Sequence, residues 1–105
     1  MATTKDFIEY VCGAIRVPDE IRYRKMFGEY MVYRNENPVL LVCDDTVFVK
    51  KLPETRAILG EGAQTGYPYD GAKEHFVIDP DDGELFNEVI AAMGKATGEI
   101  RKGSL

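Results

Sequence analysis

The 105 residues are enough for one domain but too few for two, because each half would bury too little apolar surface to fold alone. Apolar residues make up 45% of the chain and charged residues 30%, a balance that excludes wholesale disorder. The net charge of −5 comes from the second half, since residues 1–51 hold eight basic and eight acidic residues, and residues 52–105 hold five and ten. Such a charge disfavours direct binding to a nucleic-acid backbone.

The first predicted element is an amphipathic helix over residues 4–16. Thr3 or Thr4 is suited to the N-cap, and Pro18 lies beyond the end, where it cannot continue a helix. The apolar stripe is formed by Phe7, Ile8, Val11, Cys12 and Ile15.

Four strands are predicted to follow the helix. They cover residues 21–27, 29–34, 39–43 and 46–50. Gly28 permits a bulge or bend, and turn chemistry occupies residues 35–38 and 44–45. Short turns between consecutive strands imply an antiparallel meander, with the continuously apolar strand 39–43 at its centre.

The second half predicts helix, loop, strand and helix. These elements are a helix over 53–59, an irregular loop over 60–74, a strand over 75–79 and a helix beginning after the caps at 79–82. The stripe of this last helix comprises Leu85, Phe86, Val89, Ile90 and Met93. We expect an ordered core over about 4–95 and a frayed tail over 96–105. The order α-β-β-β-β-α-β-α predicts one α+β domain, an antiparallel sheet flanked by N- and C-terminal helices.

No residue pattern predicts catalysis or a cofactor. His75 is the only histidine, and no nucleophile motif accompanies it. Asp79, Asp81 and Asp82 lack the alternating ligands and terminal Glu of a calcium loop, and helix capping explains them. We therefore expect a protein that is not an enzyme and has neither cofactor nor metal.

The cysteines and the apolar runs bear on the compartment. Cys12 and Cys43 show no metal or redox spacing, so we expect reduced, buried thiols, with a regulatory disulfide as the alternative. The longest apolar run has five residues, and the first ten include two acids, so neither a membrane span nor a signal peptide is expected. These features predict a cytoplasmic protein.

Two groups of residues form the candidate interaction surface. They are the basic residues Arg22, Arg24, Lys25 and Lys50 and the loop tyrosines Tyr67 and Tyr69. The basic group alternates with aromatic residues, which leaves direct nucleic-acid binding open as an alternative to protein binding. The loop, with His75 at its mouth, leaves a small-molecule or enzymatic function open as a third reading.

Four segments together resemble the N-terminal domain of the TfoX/Sxy competence regulators. They are RKMFGEYMVY (24–33), PVLLVCDDTVFVK (38–50), the helix ending ILGEG, and YPYDGAKEHFVID (67–79). The resemblance covers about residues 4–95 and is closer to short, single-domain members than to full regulators, whose second helical domain is absent here. Met31 and Glu36-Asn37-Pro38 depart from the Gly and the Asp/Asn-Gly turn of many members, and the second departure should lengthen or distort the turn.

The resemblance implies a fold related to secretion-chaperone-like domains and a role in transcription regulation, and it supplies no catalytic residue. We expect a regulatory or adaptor domain that binds a protein partner. Uncovered sheet edges and the dimers common among such folds also favour a two-fold homodimer.

Overall fold

A computed structural model describes residues 3–26 and 29–103, with side chains to residue 93. Its described part contains three helices: α1 (Lys5–Gly13), α2 (Pro53–Leu59) and α3 (Gly83–Gly103). It also contains six strands: β1 (Ile21–Met26), β2 (Glu29–Arg34), β3 (Asn37–Cys43), β4 (Thr46–Lys50), β5 (Thr65–Gly66) and β6 (His75–Ile78). The predicted α+β class, with an antiparallel sheet between terminal helices, is confirmed.

The six strands form one sheet in the order β1-β2-β3-β4-β6-β5, and every pair is antiparallel. Residues 21–50 form the predicted meander, with β3 inside it. The prediction of a wholly irregular 60–74 loop is wrong, because β5 pairs with the start of β6. Two residues are too few to show strand periodicity, so the local pattern could not reveal β5.

Three predicted boundaries also differ from the structure. Helix α1 ends at Gly13 instead of residue 16, because Gly13 disfavours helix and Ala14 forms the C-cap. The predicted strand 75–79 ends one residue earlier, at Ile78. The turn predicted over residues 35–38 contains only Asn35 and Glu36, so the first hairpin turn is not lengthened.

The distortion predicted near Pro38 occurs in the strand instead of the turn. The β2–β3 register shifts between Val32 and Tyr33, so that Tyr33 lies opposite Pro38 and Val32 opposite Leu40. Val39 is thereby left without a β2 partner, as in a bulge. The bulge or bend predicted at Gly28 lies outside the described residues.

A side-chain cap begins α1, as predicted. Thr4 is the N-cap of α1, and its hydroxyl accepts a hydrogen bond from the Phe7 amide at 3.2 Å. Before α3, a carboxylate oxygen of Asp79 accepts from the Asp81 amide at 2.9 Å. The backbone of α3 is helical to Gly103, beyond the end of the apolar stripe, and fraying of residues 96–105 stays a prediction.

The core lies between the helices and one face of the sheet. The predicted stripes of α1 and α3 are confirmed, since Ile8, Val11, Phe86, Val89, Ile90 and Met93 are all buried there. The sheet contributes Tyr30, Val32, Val39, Leu40, Val42, Val47, Val49, Phe76 and Ile78. The Arg34 guanidinium also donates to the carbonyls of Ile90 and Ala91, at 3.2 and 3.1 Å, and so attaches β2 to α3.

The first hairpin turn contains a strained residue. Glu36 has φ 136°, a conformation that glycine adopts far more readily than glutamate. We expect Glu36→Gly to raise the free energy of unfolding by about 1 kcal/mol, measured by urea denaturation. Glu36→Ala is the control, because it removes the same carboxylate and keeps the strain. A glycine variant no more stable than the alanine variant would contradict this prediction.

Candidate interaction site on the uncovered sheet face

One face of the sheet packs on the helices, and no helix of the described chain covers the other. Strand alternation and register place the following side chains on this second face, which we call the open face: Arg22, Arg24, Met31, Tyr33, Leu41, Phe48, Lys50, His75 and Val77. Its centre is apolar, and basic residues lie at both sides. Phe48 is nevertheless buried.

The segment between β5 and β6 borders the open face. Its Pro68 is buried, while the neighbouring Tyr67 and Tyr69 are 64% and 62% exposed. The segment begins directly after Gly66, whose backbone lies close to the Phe48 ring. This close approach requires glycine, because a Cβ there would lie 3.2 Å from a ring carbon of Phe48. The loop is thus anchored at Gly66 and Pro68 and presents two tyrosines to solvent.

A groove of about 560 Å³ lies between this loop and the sheet, and Met93 of α3 also lines it. Apolar side chains, among them Met31, Leu41 and Phe48, line most of it. The polar side chains at the groove are Tyr69, Lys73, Lys50 and His75. A groove of this volume and lining is typical of ligand and peptide sites.

A second cavity, of about 490 Å³, adjoins the groove at the end of β4 and the start of β6. Five basic residues line it together with Leu52 and Glu74: Lys50, Lys51, Arg56, Lys73 and His75. We call this the basic cavity. Three of its residues, Lys50, Lys73 and His75, also line the groove, so the two spaces adjoin at these residues.

One basic residue of the cavity is neutralised within the fold. Lys51 donates a hydrogen bond to Glu74, and its ammonium also lies 5.3 Å from the centre of the Phe76 ring. Hydrogen bonds from Lys51 and then Thr65 lower the pKa of the Glu74 carboxyl. Among the described residues, no acidic group forms an ion pair with Lys50, Lys73 or Arg56.

His75 has one nitrogen committed to the backbone. Its Nδ1 lies 2.7 Å from the Lys73 carbonyl oxygen, and since a carbonyl cannot donate, Nδ1 carries the hydrogen. The ring also contacts Phe48 edge to face, with centroids 6.4 Å apart. Nε2 is therefore the nitrogen left for a ligand. In the described part of the chain, no serine or cysteine side chain hydrogen-bonds to His75, and Ser104, the one serine of the sequence, lies outside the described residues.

The structure brings together only part of the predicted surface. Arg22, Arg24 and Lys50 share the open face, but β1 and β4 are three strand spacings apart, roughly 14 Å. Lys25 lies on the other face of β1, opposite Tyr30. Tyr69 lines the groove together with Lys50, whereas Tyr67 is exposed two residues earlier and is not among the lining residues.

Sequence reasoning missed two residues of the basic cavity, Lys73 and Arg56. They belong to a loop and to α2, and only the pairing of β4 with β6 brings them near Lys50. Alternation along β4 and β6 is the one local signal that could have placed Lys50 and His75 on the same face.

Both cysteines are free thiols in the structure; Cys43 is buried as expected, whereas Cys12 is only half-buried. Burial raises the pKa of Cys12 to about 11. Burial, with the nearby charges of Glu29 and Asp44, raises the pKa of Cys43 to about 11 as well. Both thiols therefore stay protonated at neutral pH. Because the thiolate is the nucleophilic form, neither side chain is reactive there.

We expect iodoacetamide to label the native protein at pH 8 at least ~100-fold more slowly than the urea-unfolded protein, as mass spectrometry would record. Because both pKa values are raised on folding, the stability linked to the protonated thiols is complete below the unfolded pKa. That stability is lost as the pH rises to about 11. Cys12→Ser and Cys43→Ser assign the sites, and rapid labelling of either native thiol would contradict the prediction.

The described residues, 3–26 and 29–103, hold no helix long and apolar enough to cross a membrane. Within the same ranges, no group of three or more His, Cys, Asp or Glu side chains is arranged to hold a metal ion. Asp79, predicted to cap α3, instead accepts the hydrogen bond from the Asp81 amide, which closes a turn before α3 begins at Gly83.

No protein-family model matches the chain. A curated relative is the "uncharacterized 12.7 kDa protein in trpE 5′ region" of Spirochaeta aurantia. It is 33% identical over 79 residues, which cover 75% of this chain and 68% of the relative. The similarity thus extends over most of both proteins.

Proposed function

The chain belongs to the family of the uncharacterised 12.7 kDa Spirochaeta aurantia protein, and from this premise we propose that it is a non-enzymatic adaptor domain of the TfoX N-terminal type. It acts in the cytoplasm by binding a regulatory protein through the open face and the loop beside it.

The observation that carries this proposal is a pair of exposed tyrosines on the loop between β5 and β6, of which Tyr69 lines the apolar groove. Tyr67 and Tyr69 flank a buried proline, so they are presented from a fixed point. Tyrosine is enriched at protein interfaces because its ring buries much area while its hydroxyl still finds a hydrogen-bond partner. An apolar groove rimmed by polar residues is likewise typical of interaction sites on soluble proteins.

The resemblance to the TfoX N-terminal domain supports a regulatory role. It includes the loop segment 67–79, so the two tyrosines and His75 lie within it. The resemblance brings no catalytic residue to this chain, and in the described part of the chain His75 lacks the partners of a catalytic set. Binding to a protein is therefore the function that the geometry supports best.

The test is affinity capture from nuclease-treated cells, followed by reconstitution with the purified partner. We expect a transcriptional or other regulatory protein that binds the wild type and loses at least tenfold in affinity for Tyr67→Ala/Tyr69→Ala. Such a loss is usual when aromatic anchors of an interface are truncated. Calorimetry with purified components would measure it.

Tyr10→Ala is the matched control, because Tyr10 is 46% exposed on α1, away from the open face. It should bind like the wild type. A captured partner that is insensitive to the loop variant, or the absence of any partner at native expression levels, would contradict the proposal.

A nucleic-acid function is the second candidate, favoured by Arg22, Arg24 and Lys50 on one face. It requires an affinity that falls steeply with salt, because each phosphate contact releases counterions. Fluorescence anisotropy with a DNA duplex at ~50 mM and ~200 mM salt would test it. No binding at the lower salt concentration would exclude this function.

We also propose that the protein forms a two-fold homodimer. β1 and β5 are the edges of the sheet, and β1 presents six residues without an outer partner in the described part of the chain. Multi-angle light scattering should give twice 11.8 kDa. A mass of one chain at all concentrations would contradict the dimer and leave the edge to other partners.

A further inference from the structure

The groove and the basic cavity adjoin each other and differ in chemistry. The groove has an apolar floor that includes Leu41 and Phe48, whereas the basic cavity has five basic residues and one acid. The residues at their junction, Lys50, Lys73 and His75, line both spaces. A ligand seated there would meet apolar surface at one end and cationic groups at the other.

The charge of this surface is opposite to that of the whole chain. The chain carries −5, yet in the described part of the chain Lys50, Lys73 and Arg56 form no ion pair. Lys51 alone is neutralised, by Glu74. A concentration of unpaired cations on an acidic protein attracts an anionic group of a ligand and raises its association rate.

The His75 ring is oriented for a polar contact at the junction. Its Nδ1–H donates to the Lys73 carbonyl, and its edge-to-face contact with Phe48 restrains the ring. Nε2 is then free for a ligand group. The same hydrogen bond holds the Lys73 backbone beside the His75 ring. The positions of Lys73 and His75 are therefore linked.

We infer that this surface binds a segment of the partner protein in which Asp or Glu adjoins a bulky apolar residue. The apolar side chain enters the groove over Leu41 and Phe48, and the carboxylate lies between Lys50 and Lys73. The inference rests on the proposed function, since it names the chemistry that the partner offers. A segment of this kind also fits the charge of the surface, because a basic or neutral segment would leave these cations uncompensated.

The test is selection of binders from a displayed library of random 12-residue peptides, with the full chain as target. We expect enriched peptides with Asp or Glu within two positions of Leu, Ile, Met or Phe. Synthetic versions should bind Lys50→Glu/Lys73→Glu at least tenfold more weakly than the wild type. Changing the peptide acid to its amide should cause a loss of similar size.

Lys5→Glu/Arg16→Glu is the matched control. It changes the net charge by the same amount at two exposed positions on and just after α1, away from the open face and the basic cavity. It should bind the selected peptides within twofold of the wild type. All four positions are exposed, and circular dichroism would verify that both variants fold.

Several results would overturn the inference. They are enriched peptides without acids, equal weakening by the two charge-reversed variants, and no enrichment at all. Octanoate or oligo(dT) binding that depends on Lys50 and Lys73, with no peptide selected, would assign the surface to a small anion or to nucleic acid instead.

The inference and the proposed function fail separately. A captured partner that binds the lysine variant normally would leave the adaptor function in place and remove this inference. Selection of acidic peptides, without capture of any cellular partner, would support this inference and contradict the adaptor function.

Discussion

Replacing Phe86 by alanine is expected to lower the free energy of unfolding by about 3–5 kcal/mol. The Phe86 side chain is only 1% exposed, and it joins the stripe of α3 to the core side of the sheet. Removing the ring loses its transfer free energy and leaves a cavity among rigid neighbours. For a domain of this size, the loss would be a large share of the total stability.

Chemical denaturation with an unchanged dependence on denaturant concentration would measure this loss. Glu88→Ala is the control on the same helix, because Glu88 is exposed and its truncation should change the stability by less than about 0.5 kcal/mol. A cost below ~1 kcal/mol for Phe86→Ala would be incompatible with a ring at the centre of the core.

Asn87→Ala is the second substitution with a large expected effect, about 2 kcal/mol, because it removes two hydrogen bonds that join α3 to the segment after α1 and one within α3. The Asn87 amide oxygen accepts from the Arg16 amide at 2.6 Å. Its nitrogen donates to the carbonyls of Ala14 and Gly83, at 3.0 and 2.8 Å. The bonds to Arg16 and Ala14 hold the segment after α1, where the predicted helix stops early, against the start of α3, whereas the bond to Gly83 lies within α3.

Asn87→Asp separates the two halves of this contact. Aspartate keeps an acceptor for Arg16 but places a carboxylate beside the carbonyl oxygens of Ala14 and Gly83, which repel it. Its thermal unfolding midpoint should therefore be no higher than that of Asn87→Ala. An aspartate variant as stable as the wild type would show that the donated bonds contribute nothing.

The open face could be predicted from the sequence only in part. Alternation along β1 and β4 correctly separates Arg22, Arg24 and Lys50 from their neighbours, because side chains alternate along any strand. It could not show which face the helices cover, since β3 is apolar on both sides. The groove therefore emerges only when α1 and α3 pack on one side and the 67–74 loop lies against the other.

The charges of the site illustrate the same limit. Lys51 and Glu74 are 23 positions apart, and the β4–β6 pairing alone makes them an ion pair. Thr55, a polar residue of α2, is fully buried. Its hydroxyl accepts from the Leu52 amide at 2.8 Å and donates to the Lys50 carbonyl, so it joins α2 to the end of β4.

The sequence by itself determined the helices, the long strands and the meander, because apolar spacing, caps and two-residue turns act over a few residues. Only the tertiary structure decided the position of β6 between β4 and β5, the bulge at Val39 and the basic end of the groove. Those features depend on which distant segments share a sheet edge or a helix layer. The burial of the whole core settles that choice, and no local pattern records it.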